Sequence, residues 1–382
     1  MKVAVINTYD AKNILMWSGI PFHVSLFLDS LFFGNIQYIK LPEMKRSFKS
    51  NLLGFYFNKI KKQKYYTWAD EQHLYSNKKM IDSFLDDQYD LIITFEFFLV
   101  PFLKKTNNKV IHWNDANFQN LHNYYSGYSD FSTYSFKAAH NIQKQALDLS
   151  DIVIYSSEWA IKTAVSYYKI DERKLRIILF ASNLKVSLNA SEVNNVVNLR
   201  KQNIIKLLFI GVDWERKGGD YAVKVLNELN SKGYKSLLYI VGIEVNEELS
   251  KNQNIVQFGF INKTSLEGEK KMVELYKECS FFILPSQNDI TPVVFSEANS
   301  FALPVISTNI GGIPSLIIKN INGDYFDISH FVEKSTNFII KNLPASYEYV
   351  QLCNSSFLHY QNNMSWDQIA IKFKKILKDL SL

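Results

Sequence analysis

Two cations followed by two glycines, Arg216-Lys217-Gly218-Gly219, close a loop that opens at Gly211 after the apolar run Phe209-Ile210. Adjacent guanidinium and ammonium groups at the N-terminus of a helix suit a diphosphate, because backbone N–H groups and the helix dipole add to the two full charges. Glycines let the backbone come close to such a ligand. The same residues also read as a solvated strand-to-helix turn. A second stretch runs Pro285-Ser286-Gln287-Asn288-Asp289-Ile290-Thr291-Pro292-Val293-Val294-Phe295-Ser296-Glu297. Asp289 falls in a loop after a strand, and Glu297 about two turns on. Carboxylates accept hydrogen bonds from hydroxyls, so the pair suits the two ends of a sugar–diphosphate–ribose ligand. Between them Thr291 and Pro292 lead to Val293 and Val294, whose N–H groups would open a helix toward phosphate. The plain alternative is an N-cap aspartate and an exposed helix glutamate. A third stretch, Ala302-Leu303-Pro304-Val305-Ile306-Ser307-Thr308-Asn309-Ile310-Gly311-Gly312-Ile313-Pro314, carries an apolar strand into a Gly-Gly turn, which would close over a ligand or be turn chemistry alone.

The elements that must position these residues are legible as alternating short apolar runs and longer helical patterns, the mark of parallel α/β architecture. In the first half, strands are expected at Lys2–Asn7, Asn35–Leu41, Leu91–Glu96, Lys109–Trp113, Ile152–Ser156 and Leu175–Ile178, with a helix over Phe131–Leu149. In the second half they are expected at Lys206–Ile210, Ser236–Val241, Ile255–Phe258, Phe281–Pro285 and Pro304–Thr308, with helices including Tyr221–Ser231 and Leu266–Cys279. A polar stretch over 182–203 reads as the linker, and Trp366–Leu380 as an amphipathic tail with Ile369, Phe373, Ile376 and Leu377 on one side. The length of 382 residues agrees with two domains at roughly 100–200 residues each. The expectation is an α/β chain of two doubly wound parallel-sheet domains. They are residues 1–185 with a returning helix at 360–382, and residues 204–359, with ligands at the strand C-termini facing a central cleft.

Composition narrows the function classes. The hydrophobic fraction is 47% and mean hydropathy −0.12, a globular balance. The 43 basic against 37 acidic side chains leave +6, which permits anionic ligands without demanding nucleic acid. Two distant cysteines, Cys279 and Cys353, form no metal-binding spacing and no disulfide framework, which suits a cytoplasmic protein. No run reaches the ~18 apolar residues of a membrane span. The loop after the first strand lacks G-x-G-x-x-G, arguing against a nicotinamide dehydrogenase, and no G-K-S/T exists for a P-loop.

The ordered set G-x4-R-K-G-G, S-x2-D-x7-E and A-L-P-V-I-S-T-x2-G-G-x-P resembles the retaining glycosyltransferases of family 4. The resemblance reaches the first half: Trp17-Ser18-Gly19-Ile20-Pro21-Phe22 is similar to a W-S-G-x-P-Y/F loop of a bacterial branch, Asp115-Ala116-Asn117-Phe118 to its D-A-x-F, and Ser156-Ser157-Glu158-Trp159-Ala160 to its S-S-E-W-A. It implies a GT-B fold of two Rossmann-like domains, whose C-terminal helix crosses back to the first domain. It also implies a hexosyltransferase-like enzyme that uses a nucleotide diphosphate sugar and needs no metal or other cofactor.

By the same resemblance Arg216 and Lys217 would neutralise the donor diphosphate, and Glu297 would bind the ribose. Asp289 stands where the family usually has the first glutamate of its pair, and would hold donor sugar hydroxyls. Main chain at Phe260 and Ile261 would face the nucleobase, and Gly19 would bring backbone N–H close to phosphate or acceptor. Three departures stand out. Asp289 is one methylene shorter than glutamate. Val212 follows Gly211 where many members have a phosphate-binding arginine. Asp115 occupies the place of a histidine beside the reacting sugar, where a carboxylate could accept a hydroxyl proton or stabilise positive charge; it also reads as a structural turn. His112 alternates inward on its strand, as a core residue.

Residues Met44 to Trp68 carry seven cations and no acid, interleaved with Phe48, Phe55, Tyr56, Phe57, Tyr65, Tyr66 and Trp68. That pattern suits an anionic membrane surface, or a solvated helix face. The expected partners are therefore a nucleotide sugar donor, a glycan or lipid-linked acceptor and a peripheral membrane contact, with no nucleic acid. The expected setting is bacterial cell-envelope polysaccharide or glycolipid assembly at the inner face of the membrane. Two other readings stay open: a catalytically weak binding or partner subunit of the same fold, and a sugar phosphorylase or epimerase.

Overall fold

The structure, a computed structural model, describes residues 1–85, 89–244 and 246–382. The chain divides into two compact units, one of Met1–Ile178 with Ala370–Leu382 and one of Leu179–Ile369.

The first unit is built on strands β1 (Val3–Asn7), β2 (Ile36–Lys40), β3 (Leu91–Thr94), β4 (Lys109–Trp113), β5 (Ile152–Tyr155) and β6 (Leu175–Ile177). They pair in parallel in the order β2-β1-β3-β4-β5-β6. β1, β3 and β5 are buried along their whole length, as strands covered on both faces must be. The helix Thr133–Leu149 starts at Ser132, which caps the Ser135 N–H, and sets Ala139, Ile142 and Ala146 into the core. The chain returns to this unit at Ala370, where the ring of Phe373 packs against Phe27, Phe32 and Trp113.

The second unit carries β7 (Ile205–Ile210), β8 (Ser236–Val241), β9 (Ile255–Gln257), β10 (Phe281–Leu284), β11 (Val305–Thr308) and β12 (Gly323–Phe326), again parallel, in the order β12-β11-β10-β7-β8-β9. The chain runs outward from β7 to β9, then restarts on the other side of β7 with β10. The crevice between the ends of β7 and β10 is thus a topological switch point, the place where such sheets hold ligands. In the first unit the corresponding point lies between β1 and β3.

The eleven expected strands form, with ends shifted by a residue or two. β12 is additional. It opens with Gly-Asp, two residues disfavoured in strands, but Gly323 is required because a Cβ there would lie 1.8 Å from the Val305 carbonyl oxygen.

The stretch over 182–203 differs from the expected linker. It belongs wholly to the second unit and contains the helix Val193–Leu199. Arg200, 1% exposed, donates to the carbonyls of Tyr276, Lys277, Phe301 and Ala302. The stretch is a strap anchored by one buried cation, whose charge is satisfied by backbone oxygens rather than by water. Two helices not expected, Phe331–Lys341 and Tyr347–Asn363, complete the unit.

Candidate active site

The loops at the C-terminal ends of β7 and β10 bring the predicted cations and carboxylates together. After β7, Asp213 caps a single helical turn, Trp214–Lys217, by accepting from the Arg216 N–H. Arg216 and Lys217 therefore end a short turn rather than open a helix, and the longer helix Gly219–Ser231 begins just beyond them. Gly218 links the two at φ 73°, and a Cβ on it would sit 2.0 Å from the Pro285 carbonyl oxygen. A Cβ on Gly219 would meet the Trp214 ring at 2.3 Å. The pair of glycines is thus a packing requirement that presses the cation turn against the end of β10.

The contact is fixed by hydrogen bonds. The Gln287 N–H donates to the Arg216 carbonyl at 2.7 Å, and the Gln287 side-chain amide donates to Glu215 O at 2.7 Å. The Arg216 guanidinium reaches Asn288 O at 3.2 Å and Asp213 Oδ2 at 3.2 Å. Lys217 Nζ pairs with Asp289 Oδ2. Ser286 Oγ donates to the same carboxylate at 3.0 Å. Asp289 is buried and is not a cap, since Pro292 holds that position for the helix Val293–Ser300. No side chain caps this helix. Thr291 and Val293 are buried beside its start, and Val294 is half-buried.

Glu297 lies in that helix and is fully buried, so it is not an exposed helix glutamate. Its Oε1 and Oε2 accept from Lys263 Nζ at 2.7 and 2.9 Å, and Oε2 also accepts from Tyr276 OH at 2.7 Å. Burial, reinforced by the Glu297 charge, pushes the Tyr276 phenol well above its ordinary pKa. Lys263 is a residue of the site that the sequence did not single out. Its signal was a lone cation in the loop after β9, beside Phe260 and Ile261. There the Phe260 ring is 76% exposed and Ile261 is half-buried. Gly211 is buried against the lysine stem: a Cβ on it would lie 3.1 Å from Lys217 Cγ. Val212 is 73% exposed.

In the first unit, the loops after β1, β3 and β4 form a second polar cluster. Thr8 donates through its N–H and Oγ1 to Glu96 at 2.5 and 2.6 Å. Burial raises the Glu96 pKa, although both Thr8 hydrogen bonds work against it. Asp115 Oδ2 accepts from Trp17 Nε1 at 3.1 Å. Burial and the charges of Glu96 and Asp115 raise the Tyr9 phenol. Burial, Asp115 and Glu96 are among the causes that push Tyr128 up to about 12. Asp115 thus ties the Trp17 loop to the end of β4. Gly19, at φ 79°, follows the left-handed Trp17 and Ser18 and starts the helix Ile20–Leu31. Two successive non-glycine residues at positive φ are costly, and the loop is held by packing and hydrogen bonds. Glu96, Thr8, Tyr9 and Tyr128 were not singled out from sequence. The available signal was that Glu96 directly follows an apolar strand. His112 is fully buried with both ring nitrogens unpaired, and burial drops its pKa to about 3.

The basic segment folds as the helix Phe48–Phe55 and a wide turn over Tyr56–Ile60. Phe48, Leu52, Phe55 and Ile60 are 53–79% exposed, while Ser50 and Gly54 face the unit. Beneath them Tyr65 and Tyr134 donate to Asp70. Burial opposes that charge, but the hydrogen bonds from Tyr65, Tyr134 and Ser50 hold its pKa below the ordinary value.

Residues 191–347 match the family model described as glycosyl transferases group 1. Among curated relatives, the chain is 22% identical over 242 residues to an uncharacterized 41.2 kDa protein in the cps region of Klebsiella pneumoniae, covering 62% of this chain and 61% of that one. The chain spans 48–61% of the length of the curated relatives it matches. Among solved structures it is similar to sucrose-phosphate synthase from Thermosynechococcus elongatus, with a TM-score of 0.67, 15% identity and coverage of 100% and 99% of the two chains. It is also similar to Anabaena Alr3699/HepE in complex with UDP, with a TM-score of 0.65, 14% identity and coverage of 99% and 100%. With two six-stranded parallel sheets and these structural likenesses, the chain has the two-domain, Rossmann-like α/β architecture called GT-B.

Proposed function

We propose that the protein is a retaining glycosyltransferase of family 4 that moves a hexose from a nucleotide diphosphate sugar to an acceptor hydroxyl. The observation that carries this reading is the meeting of Arg216, Lys217 and Asp289 at the switch point between β7 and β10. A diphosphate there has two cations at hand, with the uncapped starts of the helices Gly219–Ser231 and Val293–Ser300 adding their dipoles. The match of residues 191–347 to glycosyl transferases group 1 supports the same reading. UDP in the HepE structure makes uridine nucleotides the first donors to try.

In the proposed reaction the bond between the anomeric carbon and the leaving phosphate oxygen breaks. The acceptor oxygen bonds to that carbon on the same face, and its proton passes to the departing phosphate. Arg216 and Lys217 carry the leaving group's charge, in the role a metal plays elsewhere. Asp289 holds sugar hydroxyls, Glu297 acts at the ribose, and Phe260 and Ile261 lie along the nucleobase. Asp115 is proposed to orient the acceptor hydroxyl or steady positive charge. The acceptor is a glycan or lipid-linked sugar in envelope polysaccharide assembly, a setting supported by the cps-region relative.

No helix among the described residues is long and apolar enough to cross a membrane. Attachment is therefore proposed as peripheral, on the cytoplasmic face, through the exposed apolar stripe and cations of residues 44–68. Flotation of the protein with anionic vesicles at moderate salt tests this, and failure to float removes the membrane contact.

A thermal-shift screen of nucleotide sugars tests the donor reading. A ligand bound only by the native state raises the melting midpoint, and binding at 100 times Kd corresponds to about 2.7 kcal/mol. Release of nucleoside diphosphate on adding acceptor separates an enzyme from a binding subunit. Absence of any shift across the common nucleotide sugars would overturn the reading.

A further inference from the structure

We propose that Asp289 couples phosphate recognition to sugar recognition by exchanging partners. A diphosphate takes the Lys217 ammonium from Asp289, and the carboxylate so released accepts a hydroxyl of the donor sugar. This rests on the donor site argued above, and adds that its two halves cannot be filled independently.

The two adjacent cations are held very differently. Arg216 is tied to the backbone oxygen of Asn288 and to Asp213 at the rim, so it stays in place as a fixed charge. The Lys217 stem lies against Gly211, and its ammonium is committed to Asp289. The two side chains of that pair are only 13% and 10% exposed. A flexible lysine can swing its ammonium about a fixed stem, whereas the arginine fork cannot leave without breaking the loop contacts.

Drawing the ammonium toward a phosphate changes the position of Asp289. It keeps the Ser286 hydroxyl at 3.0 Å, but gives up the Lys217 ion pair in a poorly solvated place beside a dianion. A buried carboxylate stripped of its cation is strongly disfavoured. A sugar hydroxyl donating to Asp289 relieves that penalty, and a nucleoside diphosphate without sugar cannot. Loss of the sugar after transfer restores the penalty. Lys217 is then drawn back to Asp289, which weakens the grip on the diphosphate product and favours its release.

The test is calorimetric titration of the full chain with UDP and with UDP-glucose, for the native protein, Asp289→Asn and Asp289→Glu. Asparagine can still meet a sugar hydroxyl but carries no charge to strand. The ratio of UDP affinity to UDP-glucose affinity should rise about tenfold in Asp289→Asn, through tighter UDP binding, within the usual range of site-to-site coupling. Asp289→Glu should return the ratio toward the native value. A ratio unchanged in Asp289→Asn, with both ligands still bound, overturns the exchange while leaving the donor site standing. Binding of neither ligand to the native protein overturns the donor reading for uridine nucleotides, and the exchange with it. Should Asp289→Asn fail to fold, Asp289→Ser in the same titration carries the same expected change in ratio.

Discussion

Lys263 and Glu297, thirty-four positions apart, form an ion pair in which both carboxylate oxygens accept from one ammonium, at 2.7 and 2.9 Å. The glutamate is fully buried, while a third of the lysine side chain remains exposed. The partly exposed lysine thus neutralises a buried carboxylate from the loop that carries Phe260 and Ile261. Lys263→Met should destabilise the fold by about 2 kcal/mol, less than the cost of breaking a fully buried pair because the lysine is partly solvated. Lys263→Met combined with Glu297→Gln should recover part of that loss. Urea unfolding of the two single variants and the double variant measures the coupling. Additive losses would show that the two groups do not support each other.

Arg200 gives a sharper stability prediction. Its guanidinium satisfies carbonyls from two separate stretches, Tyr276–Lys277 and Phe301–Ala302. Arg200→Ala leaves several buried acceptors unpaired, each costing about 1–3 kcal/mol. A loss of at least about 3 kcal/mol, or roughly 6–12 °C in melting midpoint, is expected. Thermal unfolding followed by far-UV circular dichroism checks it, and a native-like midpoint would contradict the strap.

Gly218 should tolerate no side chain. Alanine there combines a left-handed backbone with a Cβ 2.0 Å from the Pro285 oxygen. Gly218→Ala should push the cation turn away from β10 and weaken nucleotide binding at least about tenfold, since interactions across a displaced contact are lost together. In contrast, a Cβ at Gly233 has open space around it. Gly233→Asn, a residue that accepts positive φ, should leave nucleotide affinity unchanged. Equal behaviour of the two variants in a binding titration would refute the packing argument.

His112 predicts a pH dependence. Its pKa falls from its ordinary value of 6.5 to about 3 because it is buried. The unfolded chain therefore binds a proton between those values while the folded chain does not. Stability from this group is present above about pH 6.5 and declines as pH falls toward about 3. His112→Leu should flatten that acid limb and leave activity at neutral pH intact. An unchanged acid limb would assign the loss to other groups, and lost activity would contradict the reading of His112 as a core residue.

Much of this was legible in the sequence. Parallel strands such as β1, β3 and β10 are short continuous apolar runs, so burial on both faces wrote them plainly. Arg216, Lys217 and Asp289 could be picked out as candidates because chemistry and spacing coincide just after the C-terminal ends of two apolar strands. Three kinds of feature were hidden. β12 depends on a glycine contact with Val305, which only the folded sheet reveals. Arg200 looked like linker polarity because its acceptors are backbone oxygens far away in sequence. The pairing of Lys217 with Asp289 and of Lys263 with Glu297 joins residues 72 and 34 positions apart. No local pattern states such a contact; it follows only once the strand order sets β10 beside β7.

In the proposed reaction the Lys217 ammonium carries the charge of the departing diphosphate. The most direct test is turnover of a nucleotide sugar by the purified chain, read as nucleoside diphosphate released, against Lys217→Ala shown to be folded at the assay temperature. The expected result is a kcat about 10²–10³-fold lower in the variant. A variant that turns over within a factor of three of the native enzyme would contradict the account.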